Sequence, residues 1–252
     1  MNRNDFIVII PARYASTRFP GKPLARIGGV EMIVRVCRRV QGAGFPLAVA
    51  TDDRRIADCV EKAGFTAVMT SEAHRSGTDR VMEAYTRLGS KAPVVINVQG
   101  DEPFIDPAQI ESLAGCFDTP GTEIATLVRR FDPEAGFDAL FDPNLVKVVF
   151  SDRMEALYFS RSIIPYVRKY EWKEWLSHAV FHTHVGVYAY RADILRRVTS
   201  LPQSSLELAE SLEQLRWLQA GLRIKIALTE SRTIGIDSPA DLEEAEKYFS
   251  SL

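Results

Sequence analysis

The sequence predicts an α/β protein built on a mainly parallel, Rossmann-like sheet with helices on both faces. Two observations lead to this prediction. Short apolar runs rich in β-branched residues alternate with segments of helical period through roughly the first 120 residues. The 252 residues are 46% hydrophobic and 25% charged, which is typical of a folded globular chain. We find no internal repeat, low-complexity tract or Gly/Ser linker, so we expect a single domain over residues 1–252.

The first strand is predicted at residues 6–10, because five consecutive apolar residues suit a strand that is buried on both faces. Similar patterns predict strands at 47–50, 65–69 and 94–98, and helices around 33–40, 56–63, 77–88 and 107–113. Such a β-α-β series implies right-handed crossovers between parallel strands. Ligands bind such sheets at the carboxyl ends of the strands, so the loops after the first and fourth strands are the places to search.

The pattern changes in the second half of the chain. Predicted strands at 124–128, 146–150, 156–159 and 184–190 follow one another without long helices, which favours antiparallel additions. We therefore expect an embedded, smaller β-rich lobe over about residues 130–190. Leucines 208, 212, 215 and 218 predict one helix between Pro202 and Gly221. A strand at 224–228 and a helix from Pro239 through Tyr248 complete the chain.

Composition also excludes some partners. Lys and Arg number 31 against 33 Asp and Glu, a net charge of −2, which does not suit a nucleic-acid or membrane surface as the main partner. The odd number of widely spaced cysteines, Cys37, Cys59 and Cys116, indicates buried thiols in a reducing compartment. There is no signal-peptide pattern and no apolar run near 18 residues. We expect a cytoplasmic protein without membrane insertion.

The loop after the first strand, residues 11–23, has the clearest chemical pattern. Residues 6–30 include no Asp or Glu but four cations, Arg13, Arg18, Lys22 and Arg26. Small residues in this loop allow backbone N–H groups to approach an anion, and the cations supply charge and forked donors. The loop is not a Walker A motif or a Rossmann glycine fingerprint. The composition favours a triphosphate site over the alternative, a solvated basic loop.

Two aspartates are candidate metal ligands. Asp101 follows the fourth predicted strand, where a carboxylate can hold a Mg²⁺ ion that bridges phosphates. The alternative for Asp101 is a turn in which its side chain bonds backbone amides. Asp237 precedes Ser238 and Pro239 at a predicted helix start, and the spacing alone favours a helix cap there.

Other types of site receive less support. His178, His182 and His184 lie close together, but no cysteine or fixed carboxylate completes a zinc ligand set and a strand pattern continues through 185–190. No Gly-x-Ser-x-Gly segment supports a serine hydrolase.

Motifs along the whole chain resemble those of the 3-deoxy-manno-octulosonate (Kdo) cytidylyltransferases. The matching segments are, in order, 9–18 with 20–23, 50–52, 74–80, 98–103, 144–149, 158–161 with 164–165, 184–188, 212–216 and 235–237. Two positions depart from the family pattern. Arg75 stands where many members have Gln, and Ser204 with Ser205 where a proline is common. Both departures concern fine substrate contacts and not the reaction class.

The resemblance implies a nucleotidyltransferase that moves CMP from CTP to the anomeric hydroxyl of Kdo, for lipopolysaccharide biosynthesis, and that acts as a homodimer through residues 130–190. It implies that Arg13, Arg18 and Lys22 hold the CTP phosphates, with Ser76 and Gln99 near the base and ribose. It makes Mg²⁺ the cofactor, bound by Asp101 and Asp237, so that Arg13, Lys22 and these two aspartates are the catalytic set. The implied sugar pocket consists of Arg161, His184, Tyr188, Glu213 and Gln214.

Three alternatives remain at this point. In the first, the protein is a cytidylyltransferase whose acceptor sugar is a sialic acid or an 8-amino analogue of Kdo. In the second the protein is a nucleotide-sugar glycosyltransferase, although such enzymes normally carry an Asp-x-Asp metal motif and position 99 is Gln. In the third it is an inactive nucleotide-binding module. Against the third stand four filled charged positions, Arg13, Lys22, Asp101 and Asp237.

Overall fold

A computed structural model describes residues 1–15, 19–231 and 235–250. The strands are β1 (Phe6–Ala12), β2 (Arg26–Ile27), β3 (Val30–Glu31), β4 (Leu47–Thr51), β5 (Ala67–Met69), β6 (Val94–Asn97), β7 (Ile124–Arg130), β8 (Lys147–Phe150), β9 (Ala156–Ser160), β10 (His182–Arg191) and β11 (Ile224–Leu228). The helices are α1 (Met32–Gly42), α2 (Arg54–Lys62), α3 (Gly77–Arg87), α4 (Pro107–Gly115), α5 (Gly136–Phe141), α6 (Trp175–His178), α7 (Ala192–Ser200), α8 (Ser205–Glu210), α9 (Gln214–Gln219) and α10 (Pro239–Ser250).

Seven strands of the nine-stranded central sheet lie in the order β11-β7-β10-β6-β1-β4-β5. β1 pairs in parallel with β4 and β6, β4 with β5, and β7 with β11, whereas β10 is antiparallel to both β6 and β7. Strands β1 and β6 are neighbours, with Ile9 opposite Asn97. Their carboxyl ends therefore meet, and the two loops singled out in the sequence lie side by side. The predicted Rossmann-like fold class is confirmed.

The core lies on both faces of this sheet. Val8 and Ile10 of β1 pack into one apolar cluster together with residues of α1 and α2, while Ile9 packs into another together with residues of α3 and α9. Successive side chains of a strand point to opposite faces, so a strand covered on both sides must be apolar throughout. This double burial accounts for the continuous apolar run at residues 6–10.

Residues 130–190 contain the antiparallel additions that the sequence predicted. β8 and β9 form a hairpin, and Thr183 of β10 pairs with Lys147 of β8, so the hairpin extends from the main sheet. A small separate core fills this region, made of Phe131, Leu140, Trp175 and Phe181. Within the described residues, no helix is both long and apolar enough to span a membrane.

The single helix predicted between Pro202 and Gly221 is wrong. The chain instead forms α8 and α9, with Ser211 between them in the left-handed conformation (φ 52°). The Arg161 side chain donates hydrogen bonds to the carbonyl oxygens of Glu210 and Ser211, at 2.6 and 3.3 Å. These contacts satisfy acceptors that a helix end leaves without partners, and thereby stabilise the break.

Candidate active site

A polar cavity of about 310 Å³ lies at the carboxyl ends of β1 and β6. It is lined by Pro11, Ala12, Arg13, Lys22, Pro23, His74, Arg75, Ser76, Gly77, Arg80, Gln99, Gly100, Asp101 and Asp237. Four of these side chains are Arg or Lys and two are Asp, so positive charge is in excess and the cavity suits an anionic ligand.

Two glycines allow the loops around the cavity to approach one another. A Cβ atom at Gly100 would lie 2.8 Å from the carbonyl oxygen of Pro11, so only glycine fits where the loop after β6 crosses the end of β1. Gly21 has a φ of 72°, and its N–H donates to the carbonyl oxygen of Tyr14 at 3.0 Å. This turn places Lys22 at the cavity.

Lys22 lies between the two predicted metal ligands. Its ammonium nitrogen Nζ is 2.6 Å from Oδ2 of Asp101 and 3.3 Å from Oδ1 of Asp237. The backbone N–H of Ile236 donates to the carbonyl oxygen of Asp101 at 3.1 Å, which joins the two aspartate segments. Residues 136 positions apart (237 − 101) thus share one site at the sheet edge.

The structure also separates the two hypotheses for Asp237. Helix α10 begins at Pro239, and the capping hydrogen bonds at its start are exchanged by Ser238 and Asp241. The backbone N–H of Asp237 donates to Asp241 Oδ2 at 2.9 Å, while its carboxylate contacts Lys22. The helix cap is therefore formed by the neighbours of Asp237, and the Asp237 side chain belongs to the cavity.

The Asp101 and Asp237 carboxylates fit a magnesium site. They already flank one cation, and Mg²⁺ is usually held by one or two protein carboxylates plus phosphate oxygens and water. Among the described residues, no group of three or more His, Cys, Asp or Glu side chains forms a complete metal cage. A metal at this position would therefore take further oxygens from the nucleotide.

One wall of the cavity is the start of α3. Ser76 caps this helix, since its hydroxyl accepts from the backbone N–H of Asp79 at 3.1 Å. Across the cavity, Gln99 Nε2 donates to Oδ1 of Asn97 at 3.2 Å. Both predicted nucleotide contacts thus line one pocket with Arg13 and Lys22.

Four of the five predicted sugar-binding residues lie on the face of the sheet that is covered by α3 and α9. His184 and Tyr188 of β10 are neighbours, with ring centroids 5.2 Å apart, and burial raises the pKa of the Tyr188 phenol well above its usual value. Burial likewise raises the pKa of Glu213, which stands immediately before α9. The Gln214 side chain is buried as well. These four residues form a low-dielectric environment, unlike the charged cavity.

Burial lowers the pKa of His184 to about 3, so its imidazole is neutral near pH 7. The Thr126 hydroxyl donates to the carbonyl oxygen of Val187 at 2.8 Å, so its oxygen accepts from Nε2–H of His184 at 3.0 Å. Nδ1 of His184 is then left as a hydrogen-bond acceptor. A neutral imidazole in this tautomer suits a sugar hydroxyl better than an anion.

This chain resembles known cytidylyltransferases over nearly its whole length. A sequence model of the family described as cytidylyltransferase matches residues 7–226. A 3-deoxy-manno-octulosonate cytidylyltransferase of Phocaeicola vulgatus is 56% identical over 244 residues, 97% of each chain. One of Parabacteroides distasonis is 54% identical over 247 residues, 98% of each chain. The chain belongs to the 3-deoxy-manno-octulosonate cytidylyltransferases.

A solved structure agrees with this family. The structure of a CMP:2-keto-3-deoxy-manno-octonic acid synthetase complexed with CTP is 42% identical, covers 98% of both chains and superposes with a TM-score of 0.89. The resemblance found in the sequence is confirmed, and the chain is a nucleotidyltransferase rather than a glycosyltransferase.

Within this cytidylyltransferase, the side chain of the predicted sugar residue Arg161 is occupied by backbone contacts. Arg161 is not in the cavity lining: its side chain donates to the carbonyl oxygens of Glu210, Ser211 and, at 2.9 Å, Pro143. Its predicted role toward the sugar carboxylate stays a prediction. Arg18, predicted to bind phosphate, lies outside the described residues.

Sequence reasoning missed several residues of the site. His74 and Arg80 line the cavity, and Arg80 is held by Thr70 Oγ1 and Asp52 Oδ2, each at 2.6 Å. The segment 74–80 that matched the family pattern contained both residues and was the available signal.

On the sugar side, no sequence pattern pointed to Tyr190 and Trp217. Their rings lie 5.4 Å apart at the centroids, and Trp217 also packs 5.0 Å from Tyr188. The polar atoms of these three side chains are buried and make no hydrogen bond of ordinary geometry to any described residue. Buried polar groups normally find partners, so these atoms mark this side as a place where a polyhydroxylated ligand or water would be bound.

Proposed function

We propose that this chain transfers CMP from CTP to the anomeric hydroxyl of Kdo and releases pyrophosphate. The observation that supports this most directly is the Lys22 ammonium between Asp101 and Asp237, in a cavity with a surplus of cationic side chains. Relatives more than 50% identical over almost the whole chain bear the name of this activity. The 42%-identical structure is described as complexed with CTP.

In this reaction the anomeric oxygen of the sugar attacks the α-phosphorus of CTP, and the bond to the leaving pyrophosphate breaks. Negative charge grows on the leaving oxygens, where Arg13 and Lys22 would stabilise it. Asp101 and Asp237 would hold Mg²⁺, which when bound neutralises phosphate charge. In the structure Lys22 contacts these aspartates, so we expect its ammonium to exchange a carboxylate contact for a phosphate when CTP binds.

The sugar side would orient the acceptor through one carboxylate and several uncharged groups. His184 and Tyr188 offer hydrogen-bonding atoms beside the core, and Glu213 and Gln214 offer a carboxylate and an amide from the turn before α9. Orientation of the two reactants is itself a major source of rate enhancement. To bind the sugar carboxylate, Arg161 would have to give up some of its hydrogen bonds to backbone carbonyl oxygens.

The test is a pyrophosphate-release assay with each of the four nucleoside triphosphates against Kdo, its 8-amino analogue and a sialic acid. We expect release with CTP and Kdo and only slow release with the other nucleotides or the sialic acid. Preference for the 8-amino sugar would revise the acceptor while leaving the reaction class intact. Absence of release with all three sugars would overturn the proposal and favour an inactive nucleotide-binding module.

We also propose that the chain is a cytoplasmic homodimer that pairs through residues 130–190. Six of the eleven exposed large hydrophobic side chains of the described residues fall there: Phe141, Leu157, Tyr166, Tyr170, Trp172 and Val180. Exposed apolar patches of this kind often form subunit interfaces. Light scattering after gel filtration should give the mass of two chains, and Trp172→Glu should shift it toward one. A monomeric mass for the unsubstituted chain would contradict the dimer.

A further inference from the structure

The two halves of the site are joined by a hydrogen bond. Thr78 lies in the first turn of α3, two residues beyond Ser76, which lines the nucleotide cavity. Its hydroxyl donates to Oε2 of Glu213 at 2.8 Å, a contact between residues 135 positions apart. Thr78 is buried, at 3% exposure. One helix start therefore contacts the nucleotide side and the sugar side.

Glu213 is held from its other side as well. Its Oε1 accepts from Nη2 of Arg216 at 2.8 Å, and Nε of Arg216 is 3.2 Å from Oε2 of Glu207. Glu207 in turn forms the capping box of α8 with Ser204. The Glu213 carboxylate is thus held between α3 and the α8–α9 pair. Arg216 is close to it in sequence, whereas Thr78 is distant in sequence and is brought to it by the fold.

We propose that Thr78 is a positioning residue, which holds the Glu213 carboxylate in the orientation that receives the acceptor sugar. This inference rests on the proposed function, and in particular on Glu213 facing the sugar. A hydrogen bond to a buried charged group is among the stronger polar contacts in proteins. Removing the hydroxyl would leave Glu213 with Arg216 and Ser76 as its partners and would allow its carboxylate a wider range of orientations.

The electrostatic environment of Glu213 supports this role. The charged and titratable groups that face it are Asp79 from α3, Arg216 from α9, and Tyr188 and Tyr190 from β10. Burial raises the pKa of Glu213, while hydrogen bonds from Thr78 and Ser76 and the charge of Arg216 act in the opposite direction. Loss of the Thr78 donor should therefore raise this pKa further.

The experiment compares Thr78→Val with Thr78→Ser and with Thr86→Val, using CTP and Kdo as substrates. Thr86 lies in the same helix but donates only to the carbonyl oxygen of Met82, so its substitution is the matched control. We expect Thr78→Val to raise KM for Kdo about tenfold or more, since it removes a bond to a charged group. KM for CTP should stay within about twofold, and Thr78→Ser should restore most of the loss.

A double-substitution cycle with Glu213→Gln distinguishes positioning from general damage. If Thr78 acts through Glu213, adding Thr78→Val to Glu213→Gln should change KM for Kdo far less than it does alone. The acidic limb of kcat/KM for Kdo should also move to higher pH in Thr78→Val, because activity is then lost earlier as pH falls. Thr78→Ala serves as a second apolar variant if Thr78→Val folds poorly.

Two kinds of failure are distinguishable. An unsubstituted chain that makes no CMP-Kdo from CTP and Kdo would overturn the proposed function and this inference with it. An active enzyme in which Thr78→Val matches Thr86→Val, or raises both KM values equally, or adds fully to Glu213→Gln, would overturn this inference alone.

Discussion

The proposed nucleotide half and the proposed sugar half of the site differ in their exposure and in their balance of charged side chains. The nucleotide cavity opens at the strand ends, and Lys22, Asp101 and Asp237 meet there with the Asp237 side chain 55% exposed. On the proposed sugar side, Tyr188 is buried in the core with the partly buried His184 beside it, and burial lowers the pKa of His184 to about 3. The first half suits a charged triphosphate, and the second suits the hydroxyl groups of a sugar.

This difference predicts two kinds of response to substitution. Exposed charges are screened and contribute little to stability, so substitution of the largely exposed Asp237 should affect turnover with little effect on folding. A buried polar group that loses its partner destabilises the fold, so changes in the sugar half should affect sugar binding and stability together.

Lys22→Ala should cause the largest loss. A cation placed at growing phosphate charge typically contributes ~10²–10³ in kcat. Turnover is measured by pyrophosphate release with CTP and Kdo. Arg26→Ala is the control, because Arg26 is a cation of the same stretch that lies outside the cavity lining and pairs with Glu31. A raised KM for CTP with unchanged kcat would mean that Lys22 binds ground state and transition state alike.

Asp237→Asn should lower kcat about tenfold or more, or ~1.4 kcal/mol of barrier, and raise the Mg²⁺ concentration needed for half-maximal activity. The melting temperature should stay unchanged, because Ser238 and Asp241 cap α10. Ser238→Ala is the opposite control: it removes the hydroxyl that accepts from the Asp241 N–H at the start of α10, which costs about 1 kcal/mol, and it should largely spare turnover. Activity of Asp237→Asn within about threefold of the unsubstituted enzyme at limiting Mg²⁺ would remove Asp237 from the metal site.

The sequence was sufficient where local pattern determines the outcome. The apolar run at 6–10 predicted a strand buried on both faces, and the loops after the first and fourth strands predicted the position of the cavity. Arg13, Lys22 and Asp101 lie in these loops, and Asp237 lies next to a proline-started helix. Sheet topology brings such positions together, so their proximity follows from the order of the elements.

The sugar half depends on contacts that no local pattern contains. The break between α8 and α9 is stabilised by Arg161, about 50 residues away, so the leucine spacing alone indicated a continuous helix. The bond from Thr78 to Glu213 joins segments 135 residues apart. Side chains in this region are placed by packing across the sheet. The family resemblance could name Glu213, but only the structure identified its partner.

The smallest predicted effect concerns pH and stability on the sugar side. Because burial lowers the pKa of His184 to about 3, the unfolded chain binds a proton at this residue between about pH 3 and 6.5 and the folded chain does not. The free energy of unfolding should therefore fall as pH is lowered through this window, with the full contribution present above pH 6.5. Between pH 7 and pH 5, His184 accounts for about 2 kcal/mol of the decrease in the free energy of unfolding.

Urea unfolding at pH 7 and at pH 5 measures this decrease. The free energy of unfolding should decrease less for His184→Gln than for the unsubstituted chain, whatever the absolute stability of the variant. His178→Gln, at an exposed position in α6, controls for histidine replacement as such. An equal decrease in the unsubstituted chain and in His184→Gln would mean that His184 is hydrated in solution, and the contrast between an open half and an enclosed half would then lose its main support.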